Sequence, residues 1–264
     1  MATDTSASTP TQPGIFRLIW DLIRRPRSAL TYLSEAGGKI WIWMAVLAMV
    51  AAVLPVIVAA PITSRISQEA MQAAMEAQGN QAQQTNPEIQ QQIISFTTNP
   101  FFTIVMPAGL VLIGLWAGWL VWSAVLHFGG TLLGGNNRFG QMWQIVVWAW
   151  FPFAVRGLLQ TIYILASGKM ISNPGLSGLL AHPVTAANMA AVTQPPGQLA
   201  LQALLSRIDL FLVWNLILLA IGVMVTARFS GRKATLITLG AWALFTLLAI
   251  GTAIIPGLLF AGSL

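Results

Sequence analysis

Five long apolar stretches dominate the chain and leave it few ways to fold. They run Ile40–Ile62, Phe101–Leu126, Met142–Leu165, Ile208–Ala227 and Ala234–Leu259, with lengths of 23, 26, 24, 20 and 26 residues. A helix rises 1.5 Å per residue, so each can cross a hydrocarbon core of about 30 Å. Barrel strands would instead alternate in polarity over about ten residues. Inside lipid every backbone N–H and C=O needs a partner, and a helix supplies it within the segment. The expected fold is therefore all-α: an integral membrane bundle of five transmembrane helices. Composition sharpens one exclusion. Only 8% of residues are charged, against about 25% in soluble domains. An ordinary soluble enzyme cannot be coated with so few charges. Cysteine is absent, which removes disulfides, thiol nucleophiles and cysteine metal sites.

The connecting segments set the expected orientation through their Lys/Arg count. The N-terminal segment carries Arg17, Arg24, Arg25, Arg27 and Lys39. The second connection carries Arg138, and the short last one Arg228, Arg232 and Lys233. The opposite side carries only Arg65, Lys169 and Arg207. This bias of 9 against 3 puts the N-terminus in the cytoplasm and the C-terminus outside. Residues 1–14 are polar and read as a disordered tail, with 15–264 as a single membrane domain. The start has no basic region ahead of an apolar core, so no cleaved leader is expected and the first span stays as an anchor.

Short interfacial helices are expected around the spans. Ile15–Leu33 reads as one lying on the cytoplasmic interface, with Ile15, Phe16, Ile19, Trp20 and Ile23 as its apolar side, bent or ended at Pro26. Residues 63–100 read as two short helices, one from about Ser64 and one opened by Asn86-Pro87. Asn99-Pro100 supplies a capped start for the second span. Residues 170–206 read as irregular, with a helix from about Gln198 continuing into the fourth span.

Reactive constellations are missing. His127 and His182 fall in connections on opposite sides of the membrane. There is no Gly-x-Ser-x-Gly elbow, no His-Glu-x-x-His and no phosphate-binding Gly-x4-Gly-Lys-Ser/Thr. No enzymatic activity, cofactor or metal is expected.

Arg156 is the residue that needs a reason. It lies just past the middle of the third span, where an arginine costs about 2.5–3.5 kcal/mol on insertion scales. Gln160 lies one turn away, Asn215 falls at a similar depth on the fourth span, and Asp209 sits near that span's outer end. These four make a candidate intramembrane polar cluster. Three roles are open to it: glue between spans three and four, a ligand or ion site, or contact with lipid phosphates.

Two small-residue pairs, Gly114/Gly118 and Gly130/Gly134, are candidates for close packing within the chain or between copies. Trp116, Trp119 and Trp122 recur on nearly one face and read as packing or interfacial anchors. The net charge of +6 and the basic cytoplasmic side allow anionic lipids as partners. Basic residues spread over separate connections give no nucleic-acid surface.

Residues 126–157, LHFGGTLLGGNNRFGQMWQIVVWAWFPFAVRG, resemble the Yip1-domain membrane proteins, in particular their prokaryotic branch. The matching features are a Gly-Gly turn, a short polar link, Phe139-Gly140 and an aromatic-Pro step at Phe151-Pro152. LIRRPRSALTYL before the first span, and Trp214, LILLAIGV and Gly231-Arg232-Lys233-Ala234 around the last hairpin, are similar to the family as well. The resemblance covers roughly residues 15–260. It implies a five-helix, non-enzymatic membrane protein. It also implies structural roles for Gly134, Gly135, Phe139, Gly140 and Pro152 in the turn and bent start between spans two and three. Eukaryotic relatives are tied to Rab GTPases, Golgi vesicles and membrane shaping; their Leu-Tyr-Gly-Pro motif is not in this chain.

The expected function is a scaffold or adaptor of the cell membrane, working on an unidentified membrane-protein partner or a second copy. The competing reading is a transporter, channel or permease subunit with Arg156 lining the path. The six-residue connection at 228–233 should make spans four and five an antiparallel hairpin. Spans two and three should form another, with span one against both.

Overall fold

The computed structural model describes residues 13–36, 38–78, 99–171, 173–180 and 196–261. Among them there are helices and turns but no strand, and five helical spans are long and apolar enough to cross a membrane. The protein is an all-α membrane bundle. The spans are Trp41–Ala70, Phe101–Leu132, Phe139–Ser167, Leu210–Ala227 and Gly231–Thr252.

Two short helices precede the first span. α1 is Ile15–Arg24 and α2 is Pro26–Ala36. Proline disfavours helical geometry in the residue before it, and Arg25 duly sits at φ −138°, ψ 59°. Pro26, which has no N–H to lose, then opens α2. Of the two outcomes expected at Pro26, a bend or an end, the chain takes the end. The outward face of α1 is the one expected of an interfacial helix, and a second apolar side docks it on the bundle. Leu18 and Leu22 are the buried residues of α1, while Phe16, Trp20 and Ile23 point outward. α1 has apolar residues on two sides, and the bundle takes the leucine side. α2 buries Ala29, Leu30 and Leu33 and packs on the third and fourth spans.

α3 runs Trp41–Gln78 without interruption through Pro55 and Pro61. The short helix expected from Ser64 is its continuation. Ala, Gln, Glu and Met in this stretch are good helix formers, so nothing stops the helix when the apolar run ends. The second helix expected in this connection lies outside the described residues, as does most of the N-terminal tail. The second span starts where Asn99 Oδ1 accepts from Phe101 N–H at 2.9 Å. A wide π-helical turn, Phe101–Val105, leads into α4, Met106–Leu132. The end of α4 is a Schellman turn: Gly134 sits at φ +84°, and Gly135 N–H donates to Gly130 C=O at 2.8 Å.

The third span is two helices, α5 (Phe139–Ala149) and α6 (Phe151–Ser167). α5 is the centre of the molecule. Met142, Ile145, Val146, Val147, Trp148 and Ala149 are all fully buried, and α2, α3, α4 and the fourth span pack around it. A helix apolar on nearly all sides belongs in such a place, with Gln144 buried among its neighbours. After α6 come a 3-10 turn, Gly175–Leu180, and α7, Pro196–Leu205. α7 does not run on into the fourth span as expected. The chain turns at Ser206–Asp209, and α8 is Leu210–Ala227. α9, Gly231–Ala261, returns antiparallel to it. α4 packs on α5 in the same way, and α3 lies along α6 and α4.

Two glycines permit the closest approaches. A Cβ on Gly157 of α6 would collide with the Ala51 carbonyl of α3, and one on Gly222 of α8 with the Ile145 side chain of α5. Gly114 and Gly118 instead meet nothing within 4 Å, so that pair packs against no other part of the described chain. Four tryptophans form one cluster: Trp41, Trp116, Trp119 and Trp143 lie at ring-centroid distances of 5.6–6.4 Å, Trp119 fully buried and Trp116 partly exposed. Trp122 stacks on Phe245 of α9. Large apolar residues cover the outer faces, among them Leu110, Ile113, Ile162, Ile217, Leu236 and Leu247. A soluble monomer rarely exposes so much apolar surface in one belt.

Candidate functional site

The four polar residues singled out on spans three and four fall in two separate places. The first is the break between α5 and α6. Pro152 has no N–H to offer the carbonyl four residues back, and the chain tightens here. Trp150 N–H donates to Val147 C=O at 3.2 Å and Phe153 N–H to Trp150 C=O at 3.0 Å. Phe153 N–H would serve Ala149 C=O in a regular helix, so that carbonyl is released inside the bundle. Asn215 of α8, only 1% exposed, takes it: Nδ2 donates to Ala149 O at 2.7 Å.

The second place is at the start of α8. Arg156 Nη1 donates to Asp209 Oδ2 at 2.8 Å. The other carboxylate oxygen, Oδ1, accepts from Leu212 N–H at 2.7 Å and so caps α8. One carboxylate therefore satisfies a helix start and neutralises the arginine. The Arg156 side chain is 31% exposed and that of Asp209 15%. Arg156 is eleven residues, about 16 Å of helix, before α6 ends at Ser167. The fourth span begins beside it because the chain between α7 and α8 dips down to that level.

Gly175 holds the cover of this place. At φ +63° it lies against the carbonyls of Leu205, Ser206 and Ile208, where a Cβ would not fit, and Leu176 N–H donates to Ile208 C=O at 3.0 Å. The 3-10 turn is thereby pinned to the α7–α8 turn, above Arg156 and Asp209. A hollow of about 350 Å³ remains, walled by Arg156, Gln160, Tyr163, Asn173, Asp209 and Phe211. A second hollow of about 320 Å³, between Pro55, Thr63, Pro107, Ile164 and Met170, shares Gln160 and Ile171 with it. Of the four clustered residues expected from sequence, Arg156, Gln160 and Asp209 line one hollow, and Asn215 serves the helix break elsewhere. Among the described residues no three of His, Asp and Glu come together in a metal-binding group.

The profile of the Yip1 domain matches residues 20–252. The chain belongs to the Yip1 family. No curated protein and no solved structure matches it. The Yip1 domain thus spans all five membrane helices, and the protein is a multi-pass membrane protein. The family-like residues of this Yip1 domain fall at three points. Gly134 forms the left-handed end of α4, and Gly135 sits where a Cβ would meet Phe229 and Ala227 of the last hairpin. Phe139 and Gly140 open α5, Phe139 lying edge-on to His127 at 5.9 Å. Pro152 is not at that turn but in mid-span, at the helix break.

Sequence reasoning did not assign Asn215 to a backbone carbonyl. The available signal was Pro152: a proline within a span disturbs the hydrogen-bond ladder around it and frees carbonyls nearby, and an amide on a neighbouring span is a natural donor.

Proposed function

We propose that this Yip1 protein is a non-enzymatic scaffold or adaptor of the cell membrane, with its N-terminus in the cytoplasm and its C-terminus outside. The supporting observation is how the polar groups of the bundle are used. Arg156 and Asp209 neutralise each other, Asp209 caps α8, and Asn215 closes the break at Pro152. These groups serve packing, which is what interhelical polar contacts in membranes commonly do. The outward faces are apolar, and the α4 face bearing Gly114 and Gly118 is open to a second helix of a partner or another copy. Lys and Arg concentrated at the end bearing α1, α2 and the α4–α5 and α8–α9 turns support the orientation. The chain has no cysteine, so single cysteines at Leu110 and Val121, exposed residues flanking that glycine face, can be cross-linked in native membranes and the adducts identified. One reproducible protein partner, or the homodimer, at both sites is the expected result. Only lipid-labelled monomer at both would refute the adaptor reading.

The adjoining hollows at Gln160 favour a second reading, transport through the bundle. Reconstituted vesicles in which Arg156→Gln abolishes a solute flux would select it over the first.

A further inference from the structure

A hollow larger than the two at Gln160 lies at the opposite, basic end of the bundle, and neither reading above uses it. It measures about 720 Å³ and opens between α2, the α4–α5 turn and the α8–α9 turn. Its wall includes Arg27, Thr31, Glu35, Asn136, Gln141 and Arg228. We propose that this hollow binds a phosphate group carrying about one negative charge, as found in a phosphodiester lipid headgroup or a soluble phosphate ester.

Three observations converge on it. First, neither arginine is matched by a carboxylate. The ion pairs among the described residues are Arg17–Asp21 and Arg156–Asp209. Guanidinium groups present planar forks that fit phosphate oxygens in pairs. Second, Arg228 stands at φ 54°, alone among described non-glycine residues in having positive φ. It is the residue that ends α8, a position glycine normally fills. An L-residue there costs about 1–2 kcal/mol, and strain of this kind collects at binding positions. Third, the neutral wall is largely occupied and so already in place. Gln141 Nε2 donates to Ser34 O at 3.2 Å and its Oε1 accepts from Arg138 N–H at 3.1 Å. Thr31 Oγ1 donates to Arg27 O at 2.8 Å.

Glu35 sets the charge of the ligand. With Arg27 and Arg228 it leaves the wall at +1, which suits one phosphodiester charge and disfavours a polyphosphate. Depth points the same way. The wall is formed where α8 ends and α9 begins, at the level of headgroups, and basic pockets between spans are common headgroup sites. A neighbouring hollow of about 560 Å³ shares Arg27 and Thr31 and adds Arg25, giving the approach further positive potential.

The test uses the full chain purified in detergent, exchanged with phosphatidylglycerol or phosphatidylcholine, and read by native mass spectrometry for retained lipid. Phosphatidylglycerol should be retained by the wild type and by Arg24→Gln/Arg232→Gln, which removes equal charge at the same end outside the hollow. Arg27→Gln/Arg228→Gln should lose it about tenfold or more, from two lost charge-assisted contacts. Arg228→Gly, which suits the backbone there, should show part of that loss with an undiminished melting temperature, so the loss is not unfolding. Inorganic phosphate that stabilises the wild type but not Arg27→Gln/Arg228→Gln, without lipid preference, would assign the site to a soluble phosphate ester. Equal retention by Arg27→Gln/Arg228→Gln and wild type, equal loss in the control double variant, or equal retention of both lipids would overturn the proposal.

Discussion

Replacing Asn215 by leucine tests the helix break most directly. Leucine keeps the branched heavy-atom skeleton but cannot donate to Ala149 O, 2.7 Å away. The site is sealed, Asn215 being 1% and Ala149 0% exposed, so water has no easy access to the orphaned carbonyl. An unpaired buried polar group costs about 1–3 kcal/mol, whereas interhelical hydrogen bonds in membranes average about 0.6 kcal/mol and reach about 1.7. The first figure applies in part, because Phe153 N–H is already committed to Trp150 and cannot return without straightening the span. About 1–2 kcal/mol is therefore expected. In a chain of this size that lowers the melting temperature by roughly 2–8 °C, readable by intrinsic tryptophan fluorescence in detergent. Pro152→Ala supplies the missing N–H and removes the reason for the break. In that background Asn215→Leu should cost at least about 1 kcal/mol less, a coupling that a double-mutant cycle isolates. Equal costs in both backgrounds would refute the link between Pro152, Ala149 and Asn215.

Gly157→Ala should destabilise by about 1–3 kcal/mol, the scale of overpacking, because the new methyl meets the Ala51 backbone of α3; thermal unfolding measures it, and no shift would mean that α3 and α6 do not sit this close. Asp209→Asn keeps an oxygen to cap α8 but strands Arg156, so adding Arg156→Gln to it should recover stability rather than lose more; a further drop in melting temperature would show that the pair does not act as a unit. A single cysteine at Ser28 should react with an impermeant maleimide only after permeabilisation, and one at Gln72 in intact cells; the reverse pattern would invert the proposed orientation.

The spans were legible because membrane crossing demands about twenty apolar residues and little else produces them. Their ends were less so. Ser64 resembles a boundary because polarity changes there, yet a helix is ended by lost hydrogen bonds or packing, and α3 loses neither. Asp209 reads as the edge of a span when the leucine-rich run before it is taken as continuous. It becomes a cap once the chain turns at Ser206–Asp209, a turn fixed by the docking of Gly175 from thirty residues upstream. Phe16, Trp20 and Ile23 form a clear apolar side, but so do Leu18 and Leu22, and only the shape of the bundle chooses between them. Sequence brings Asp209 to Arg156 only through the reach of a snorkelling side chain, since depth alone pairs Arg156 with Asn215. The service of Asn215 to Ala149 needed the register of α8 against α5, which periodicity does not carry.

The length of α3 has a further consequence. Its 38 residues make a rod of about 57 Å, whereas a bilayer with its headgroups is about 40–45 Å thick. Laid along the membrane normal from Trp41 at the basic end, such a rod would clear the far headgroups by two to three turns. Whatever approaches the protein from that aqueous side meets a stiff, glutamine- and glutamate-bearing post before it meets the membrane. A post built as one helix with the first span would transmit a push or a tilt at its tip to the contact of Ala51 with Gly157, deep in the bundle.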